Sequence, residues 1–136
     1  MKIINDMEVK QVMLNQNQFP IVLEKTILKE ALEEMDKYGL GIVCIVNNNN
    51  KLLGIITDGD IRRKLLKFQK PFSAFYIDNA IDHCINDPVI CYSNDSLKKA
   101  INLMGENEVW DLPVVDKNKK LIGLLHLHQA ISKVLI

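Results

Sequence analysis

Two short apolar runs in the first half of the chain, separated by an Asn-rich turn, predict a β-hairpin. The runs occupy residues 40–46 and 52–56, and the turn occupies residues 47–50. The second run is followed by Thr57-Asp-Gly-Asp60, residue types that favour a helix start, and the spacing beyond predicts an amphipathic helix over about residues 60–69. A strand, a group of capping residues and a helix therefore follow one another directly.

Periodic apolar positions predict the elements that precede and follow this hairpin. Partly helical spacing predicts a leading helix over residues 1–13, with apolar positions at Ile3, Ile4, Met7, Val12 and Met13. A strand at residues 19–23 precedes a helix that opens at Thr26 and ends at Gly39, a left-handed cap. Residues 71–78 form an aromatic connector.

The same order of elements repeats in the second half of the chain. The pattern predicts a short helix at residues 80–85, a strand at 88–92, a helix opening at Asp95, strands at 109–115 and 121–125, and a final helix at 129–136. Four pairs of identical residues lie 69 positions apart: Ala31 and Ala100, Met35 and Met104, Val46 and Val115, Gly54 and Gly123. This self-similarity predicts a duplicated strand–helix–strand–strand–helix unit.

The duplication predicts an α/β (α+β) fold of two tandem units. The first unit, with its leading helix, is expected at residues 1–72 and the second at residues 73–136. Because neither half, at about 60 residues, would bury a good core alone, the two are expected to pack together.

Composition and charge narrow the class of protein. The chain has 136 residues, 48% hydrophobic and 25% charged, which is ordinary for a globular protein. Lys plus Arg and Asp plus Glu both number 17, so no basic field attracts nucleic acid. No apolar run reaches the roughly 18–20 residues of a membrane span, and no signal-peptide core opens the chain, so we predict a cytoplasmic protein. The three cysteines lack a Cys-x-x-Cys spacing, which argues against a disulfide framework or zinc site.

The polar cluster at the end of the hairpin is the main candidate for chemistry. Thr57, Asp58 and Asp60 bring a hydroxyl and two carboxylates to a helix N-terminus, whose unpaired N–H groups favour anions. A carboxylate there suits a ribose diol, while the N–H groups and Arg62 or Arg63 suit a phosphate. The alternatives are that the aspartates only cap the helix and that the arginines form a solvated face.

These motifs resemble the cystathionine-β-synthase (CBS) domain family, in which two tandem units form a Bateman module. The family's ligand signature matches Gly54, Ile55, Ile56, Thr57 and Asp60, and the resemblance covers essentially the whole chain. The segments Gly39-Leu-Gly-Ile-Val, Thr57-Asp-Gly-Asp-Ile-Arg-Arg63 and Gly123-Leu-Leu-His-Leu-His128 resemble CBS pairs attached to arabinose 5-phosphate isomerases. The first unit also resembles those attached to sugar-phosphate nucleotidylyltransferases.

The resemblance implies a fold, a ligand and partners. It implies two units packed about a pseudo-twofold axis, an adenosine-type nucleotide such as AMP or ATP, or a sugar nucleotide, in the cleft between them, and a homodimer. It implies that Thr57 contacts ribose or phosphate and that Asp60 takes the ribose hydroxyls. The implied ligand-binding set is Ile21, Val22, Ile42, Gly54, Ile56, Thr57, Asp58, Asp60 and Arg63.

The second unit departs from this pattern. Its residues at the positions of Thr57, Gly59 and Asp60 are His126, His128 and Gln129, which predict at most a weaker second site. The two histidines could contact a phosphate or bind a metal from one strand face, but no third ligand is evident.

Predictions can also be made for two further aromatic side chains. Trp110 is interpreted as a core or dimer-contact residue, or as a base-stacking platform. His83 lacks evident companions and is predicted to lie at the surface.

Three function classes remain open. We favour a regulatory ligand-binding module that controls a sugar-phosphate enzyme, either as part of it or as a partner. An enzyme is disfavoured because the chain shows no nucleophile–base pair, no paired carboxylates at a pocket and no metal motif, so no catalytic residues, cofactor or metal are predicted. The third class is a structural dimerisation module without a ligand.

Overall fold

The computed structural model describes residues 6–135, which form five α-helices and seven β-strands. The helices are α1 (Leu28–Tyr38), α2 (Asp58–Lys67), α3 (Phe72–Tyr76), α4 (Leu97–Asn107) and α5 (Leu127–Val134). The strands are β1 (Ile21–Leu23), β2 (Ile42–Val46), β3 (Leu52–Thr57), β4 (Ile85–Asn86), β5 (Cys91–Tyr92), β6 (Asp111–Val115) and β7 (Leu121–His126). Both repeats follow the predicted strand–helix–strand–strand–helix order.

One compact unit comprises residues Gln18–Pro88. Its sheet has the order β1-β2-β3-β4, with β1 parallel to β2 and the other two pairs antiparallel. Strand β2 is buried along its whole length because its residues are apolar on both faces. Helices α1, α2 and α3 supply the apolar side chains that pack on Val43, Ile45 and Ile56.

The other unit combines the described part of residues 1–17 with residues 89–135. Its sheet has the order β5-β6-β7, and the backbone of Leu14 bonds to that of Leu124 in both directions, with N···O distances of 2.8 and 3.0 Å. The core contains residues from the leading segment and from α4, β6, β7 and α5. Buried members from the leading segment are Met7, Val9 and Val12.

The bounds of these packed units differ from the predicted bounds of 1–72 and 73–136. The leading segment packs with the second repeat, and residues 73–88 pack with the first. The sequence repeat reveals which residues correspond to each other, but it does not show which connecting segment packs on which sheet.

The predicted leading helix is wrong for the residues that the structure describes, and Ile3 and Ile4 lie outside them. No α-helix forms among its described residues, where a 3₁₀ turn spans Val9–Gln11. The segment instead pairs with distant backbone: the Val9 N–H bonds to Asp95 O (2.9 Å), and the Leu97 N–H bonds to Met7 O (2.8 Å). These long-range bonds satisfy groups that a helix would have paired locally.

The aromatic connector contains the short helix α3, which the sequence did not predict. The predicted helix at residues 80–85 is a 3₁₀ turn, Ala80–His83, followed by β4. His83 is buried rather than at the surface, and its Nε2 lies 2.7 Å from Asp78 Oδ2, which also accepts from Lys70 Nζ at 2.7 Å. These hydrogen bonds anchor the connector within its own unit.

Helix ends follow the expected chemistry with small shifts. Helix α1 starts at Leu28 after an Ile27 N-cap, and Gly39 ends it at a φ of 66°, as predicted. Helix α4 starts later than its predicted opening at Asp95, because Ser96 is the N-cap and accepts from the Lys99 N–H at 3.1 Å. Asp95 instead accepts from the Tyr92 N–H at 2.9 Å.

Candidate functional site

Thr57 and Asp60 close the N-terminus of α2 by bonding to each other. The Thr57 N–H and hydroxyl both donate to Asp60 Oδ2, at 3.0 and 2.8 Å, and the Asp60 N–H donates to Thr57 Oγ1 at 3.3 Å. This reciprocal pattern is a capping box, with Asp60 at the position usually held by Glu or Gln. The capping role weighed for Asp60 is therefore confirmed.

Arg63 completes the coordination of the Asp60 carboxylate. Its Nη2 lies 2.8 Å from Asp60 Oδ1, one helical turn away. A Cβ added at Gly59 would lie 3.2 Å from both terminal nitrogens of Arg63, so the guanidinium folds back over the start of α2. The Asp60 side chain is 10% exposed and the Arg63 side chain 63% exposed. The pair thus joins a nearly buried carboxylate to a cation that can move.

Asp58 lies against Gly41, the residue before β2. Its N–H bonds to Gly41 O at 3.0 Å, and a Cβ at Gly41 would be 2.7 Å from Asp58 Oδ2. Two of the N–H groups that the sequence reasoning treated as open to a phosphate, those of Asp58 and Asp60, are therefore already bonded. These two N–H groups are therefore not open to a phosphate.

The apolar residues of the predicted ligand-binding set lie in different surroundings. Ile42 is directly opposite Thr57 in the β2–β3 register and is fully buried. Ile56 and Val22 belong to the core under the helices. Ile21 is half-buried at the start of β1. Of this set, Ile42 has the closest structural link to the polar cluster, through its pairing with Thr57.

Gly54 has a structural role in this fold. A Cβ there would lie 2.6 Å from both Cys84 Sγ and Ile85 O, so glycine is what lets β4 pair with β3. Gly123 does the same in the second repeat, where a Cβ would meet Met13 Sδ at 2.6 Å and Leu14 O at 2.8 Å. The glycine of the signature therefore admits a neighbouring chain segment.

The second repeat replaces the hydroxyl–carboxylate cluster with an imidazole–carboxylate pair. His126, the N-cap of α5, makes no side-chain bond to the helix backbone, and its Nδ1 lies 2.7 Å from Asp111 Oδ1. When the Asp111 carboxylate is ionised it only accepts, and Nδ1 of His126 is then the donor in this contact. Burial raises the pKa of Asp111, and the hydrogen bond from His126 opposes that rise.

Asp111 was missed by the sequence reasoning. It occupies the position in the second repeat that Ile42 occupies in the first, 69 residues earlier. Asp111 could have been predicted if the 69-residue offset had been applied to the apolar residues of the predicted site as well as to its polar residues.

His126 and His128 do not share a strand face, so that part of the metal hypothesis is wrong. His126 ends β7, whereas His128 lies in α5 and is exposed, as is Gln129. Nowhere in residues 6–135 do three or more His, Cys, Asp or Glu side chains cluster as metal ligands would. Trp110 is 72% exposed, so its interpretation as a core residue is wrong, while a role in stacking or dimer contact stays a prediction.

The thiols are poorly suited to nucleophilic chemistry. Burial raises the pKa of Cys91 to about 12, and burial is also the main cause of the raised pKa of Cys84. Both thiols are therefore protonated near neutral pH, and the thiol is a weak nucleophile compared with the thiolate.

Within the described residues, no helix has the length and apolar content needed to cross a membrane.

Comparison with known proteins assigns the family. The sequence profile of the CBS domain matches residues 9–67 and again residues 80–135. The chain belongs to the CBS domain family. The resemblance drawn from the duplication and from the motif around Thr57 and Asp60 is confirmed. A CBS pair is a regulatory module and not a catalytic domain.

The relatives of this CBS pair are longer proteins. Arabinose 5-phosphate isomerase KdsD of Pseudomonas aeruginosa is 31% identical over 133 residues, covering 92% of this chain and 37% of the isomerase. A Helicobacter pylori protein is 32% identical over 122 residues, covering 88% of this chain and 35% of that protein. The chain therefore spans little more than a third of the length of these relatives.

A solved CBS pair has nearly the same fold. The crystal structure of CBSX2, a CBS-pair protein of Arabidopsis thaliana, in complex with AMP has a TM-score of 0.82 to this chain. The match covers 94% of this chain and 96% of CBSX2, with 26% sequence identity. The predicted α/β fold of tandem CBS units is confirmed by this agreement.

Proposed function

We propose that this CBS pair senses an adenosine-type nucleotide or a sugar nucleotide through Thr57, Asp60 and Arg63 of the first repeat. The observation that carries the proposal is the Arg63–Asp60 ion pair at the start of α2. It combines an acceptor for a ribose diol and a donor fork for a phosphate within one helical turn. The AMP complex of CBSX2 supports a nucleotide as the ligand class.

Ligand binding in this proposal exchanges one set of bonds for another. A ribose hydroxyl donates to Asp60 Oδ1 in place of Arg63, whose exposed side chain turns to pair with a phosphate. Oδ2 stays bonded to Thr57, so the capping box survives the exchange. Each charged group keeps a partner, which avoids leaving the nearly buried carboxylate unpaired.

The first prediction is tested by calorimetric titration of AMP, ATP and sugar nucleotides. Asp60→Ala removes the diol acceptor, and because charged hydrogen bonds are worth roughly 1.5–3 kcal/mol, we expect about a ten- to hundredfold loss of affinity. Gln129→Ala, the matched change in the second repeat, should have little effect. Thermal unfolding of each variant verifies that the capping change leaves the protein folded. Absence of nucleotide binding by the wild type, or equal losses in the two variants, would contradict the proposal.

The second part of the proposal is that nucleotide binding regulates a sugar-phosphate enzyme, in the same chain or as a partner in the cytoplasm. It is supported by the arabinose 5-phosphate isomerase among the relatives, of which the CBS pair is only 37%. The test is the isomerisation rate of such an enzyme carrying or mixed with this CBS pair, measured with and without nucleotide. A rate insensitive to nucleotide, or turnover of arabinose 5-phosphate by this chain alone, contradicts it.

A structural dimerisation module is the second candidate function. It is favoured by the exposed apolar surface of α5, where Ile131 is 43% exposed and Leu135, at the helix end, is 72% exposed. We propose that helix surfaces of this kind pair two copies into a homodimer, with or without nucleotide. Light scattering at micromolar concentration should give the mass of a dimer, and a monomer would contradict this proposal.

A further inference from the structure

Helices α1, α2 and α3 enclose an apolar pocket of about 120 Å³ within the unit Gln18–Pro88. Its most buried walls are Leu28 and Phe75, each 2% exposed. The remaining lining residues are Leu32, Ile61, Lys64, Leu65, Phe72 and Tyr76. None of them belongs to the nucleotide site proposed above, so this pocket is a separate feature of the first repeat.

The polar part of the lining carries positive charge and no negative charge. Lys64 and Tyr76 are the only lining residues with polar side chains. The Lys64 ammonium lies 5.6 Å from the centroid of the Phe68 ring, and within residues 6–135 no carboxylate lies at salt-bridge distance from it. An apolar pocket that has one cation and no acidic residue suits an anion with an apolar body.

The size of the pocket limits the body of such a ligand. A buried cavity of roughly 150 Å³ lined by Leu, Ile and Phe binds benzene, and this pocket is of similar size and lining. A long acyl chain would not fit within it. We propose that the pocket binds a small monocarboxylate with a compact apolar body, about the size of benzoate. The ring packs on Leu28 and Phe75, and the carboxylate pairs with the Lys64 ammonium.

The charge argument and the packing argument make separate predictions. Benzoate and benzamide have almost the same shape but differ in charge. Packing should therefore contribute equally to the two affinities, whereas the charge of Lys64 should favour benzoate. Because an ion pair at a partly exposed site is worth little, we expect benzoate to bind roughly twofold to fivefold more tightly than benzamide. Lys64→Met keeps a long unbranched apolar side chain and should bring the two affinities together.

The experiment is a titration of ¹⁵N-labelled protein with each probe, followed by amide chemical shifts. We expect saturable shifts on α1, α2 and α3 that are small elsewhere. Lys67→Met is the matched control, because Lys67 is exposed on the same helix and does not line the pocket; it should leave the benzoate preference unchanged. Leu32→Trp, at a half-exposed lining position, fills the pocket and should abolish the shifts from both probes.

Several outcomes would overturn the proposal. These are the absence of saturable shifts with benzoate in the wild type, equal affinities for benzoate and benzamide, an equal loss of the preference in Lys64→Met and Lys67→Met, or unchanged binding in Leu32→Trp. Benzoate affinity that falls as the protein concentration rises would also overturn it, because a second copy of the chain would then be the occupant. Thermal unfolding of each variant without probe shows that a lost shift reflects the pocket and not unfolding.

Discussion

Asp60 bonds to protein groups through both carboxylate oxygens, and the proposed exchange replaces one of these groups with a ligand hydroxyl. Oδ2 is held by two donors of Thr57, and Oδ1 by the single donor of Arg63. Arg63 is also the more exposed partner, and a flexible exposed side chain gives up little when it leaves an ion pair. Displacement of Arg63 from Oδ1 is therefore the easier exchange.

Replacing Arg63 should affect a nucleoside and a nucleotide in opposite directions. In Arg63→Gln, adenosine no longer competes with a cation for Asp60 Oδ1, so its affinity should hold or rise slightly. AMP loses its phosphate partner and should bind about tenfold more weakly. Calorimetry of both ligands makes the comparison, with Arg62→Gln as the control because Arg62 is also exposed and makes no ion pair within the described residues. Equal weakening of adenosine and AMP would exclude Arg63 as the phosphate partner.

Asp78 should make stability depend on pH in the acid range. Its hydrogen bonds with Lys70 and then with His83 hold its pKa below the ordinary value of 3.8. A lowered pKa contributes stability above that value, which is lost as the pH falls through the folded pKa. The difference in melting temperature between wild type and Asp78→Asn should thus be full well above pH 3.8 and should shrink as the pH falls below 3.8. Asp82→Asn, in the 3₁₀ turn that follows the connector, is the control, and a difference independent of pH would contradict the prediction.

The equivalent glycines of the two repeats permit strand pairing because they have no side chain. Gly54 and Gly123 occupy the same place in β3 and β7, and each touches a backbone carbonyl of a segment far away in sequence. The close approaches of Gly54 to Ile85 O and of Gly123 to Leu14 O thus occur where each hairpin joins a strand or bridge that the sequence pattern did not predict.

Adding a methyl group at Gly54 should be destabilising. The new Cβ in Gly54→Ala would lie 2.6 Å from Ile85 O, so β4 would have to move, and overpacking of this kind costs roughly 1–3 kcal/mol. Gly105→Ala in α4 meets nothing within 4 Å and should stabilise the protein by about 0.5–1 kcal/mol, the helix-propensity gain. Urea unfolding of both variants gives the two free energies. If both substitutions changed the free energy of unfolding in the same direction, the close approach of β4 would not be what determines the effect at Gly54.

The elements that could be predicted from sequence are those whose structure is encoded locally. The two hairpins, helices α1 and α4, and the Gly39 cap follow from apolar periodicity and capping residues within each segment. Segment 6–17 could not be predicted, because its backbone bonds to residues distant in sequence. Helix α3 was not predicted, and its buried side chain, Phe75, packs in a core built from residues distant in sequence. The same holds for the site: Thr57 and Asp60 are near each other in sequence and were found together. His126 was predicted, but its partner Asp111, which it meets only through the β6–β7 register, was missed.

At the scale of the whole molecule, each compact unit contains one repeat and a segment that the sequence reasoning assigned elsewhere. Strand β4, which leads into the second repeat, extends the sheet of the first, and Leu14, which leads into the first repeat, bridges to β7 of the second. Each sheet therefore has an edge that is covered by a connecting segment, which protects backbone groups that would otherwise be unpaired.

Removing residues 1–14 should therefore weaken the unit that contains the second repeat, although the cut lies next to the first. The deletion removes Met7, Val9, Val12 and Leu14, each at most 7% exposed, and buried side chains of this size contribute roughly 1.5–3 kcal/mol apiece. It also leaves the Leu124 N–H and C=O and the Leu97 N–H without their partners. Hydrogen exchange should show lost protection at β7 and at the start of α4, while amides of β2 and β3 keep theirs as the internal control. Protection lost first from β2 and β3 would mean that the leading segment stabilises its own repeat, as the bounds 1–72 had predicted.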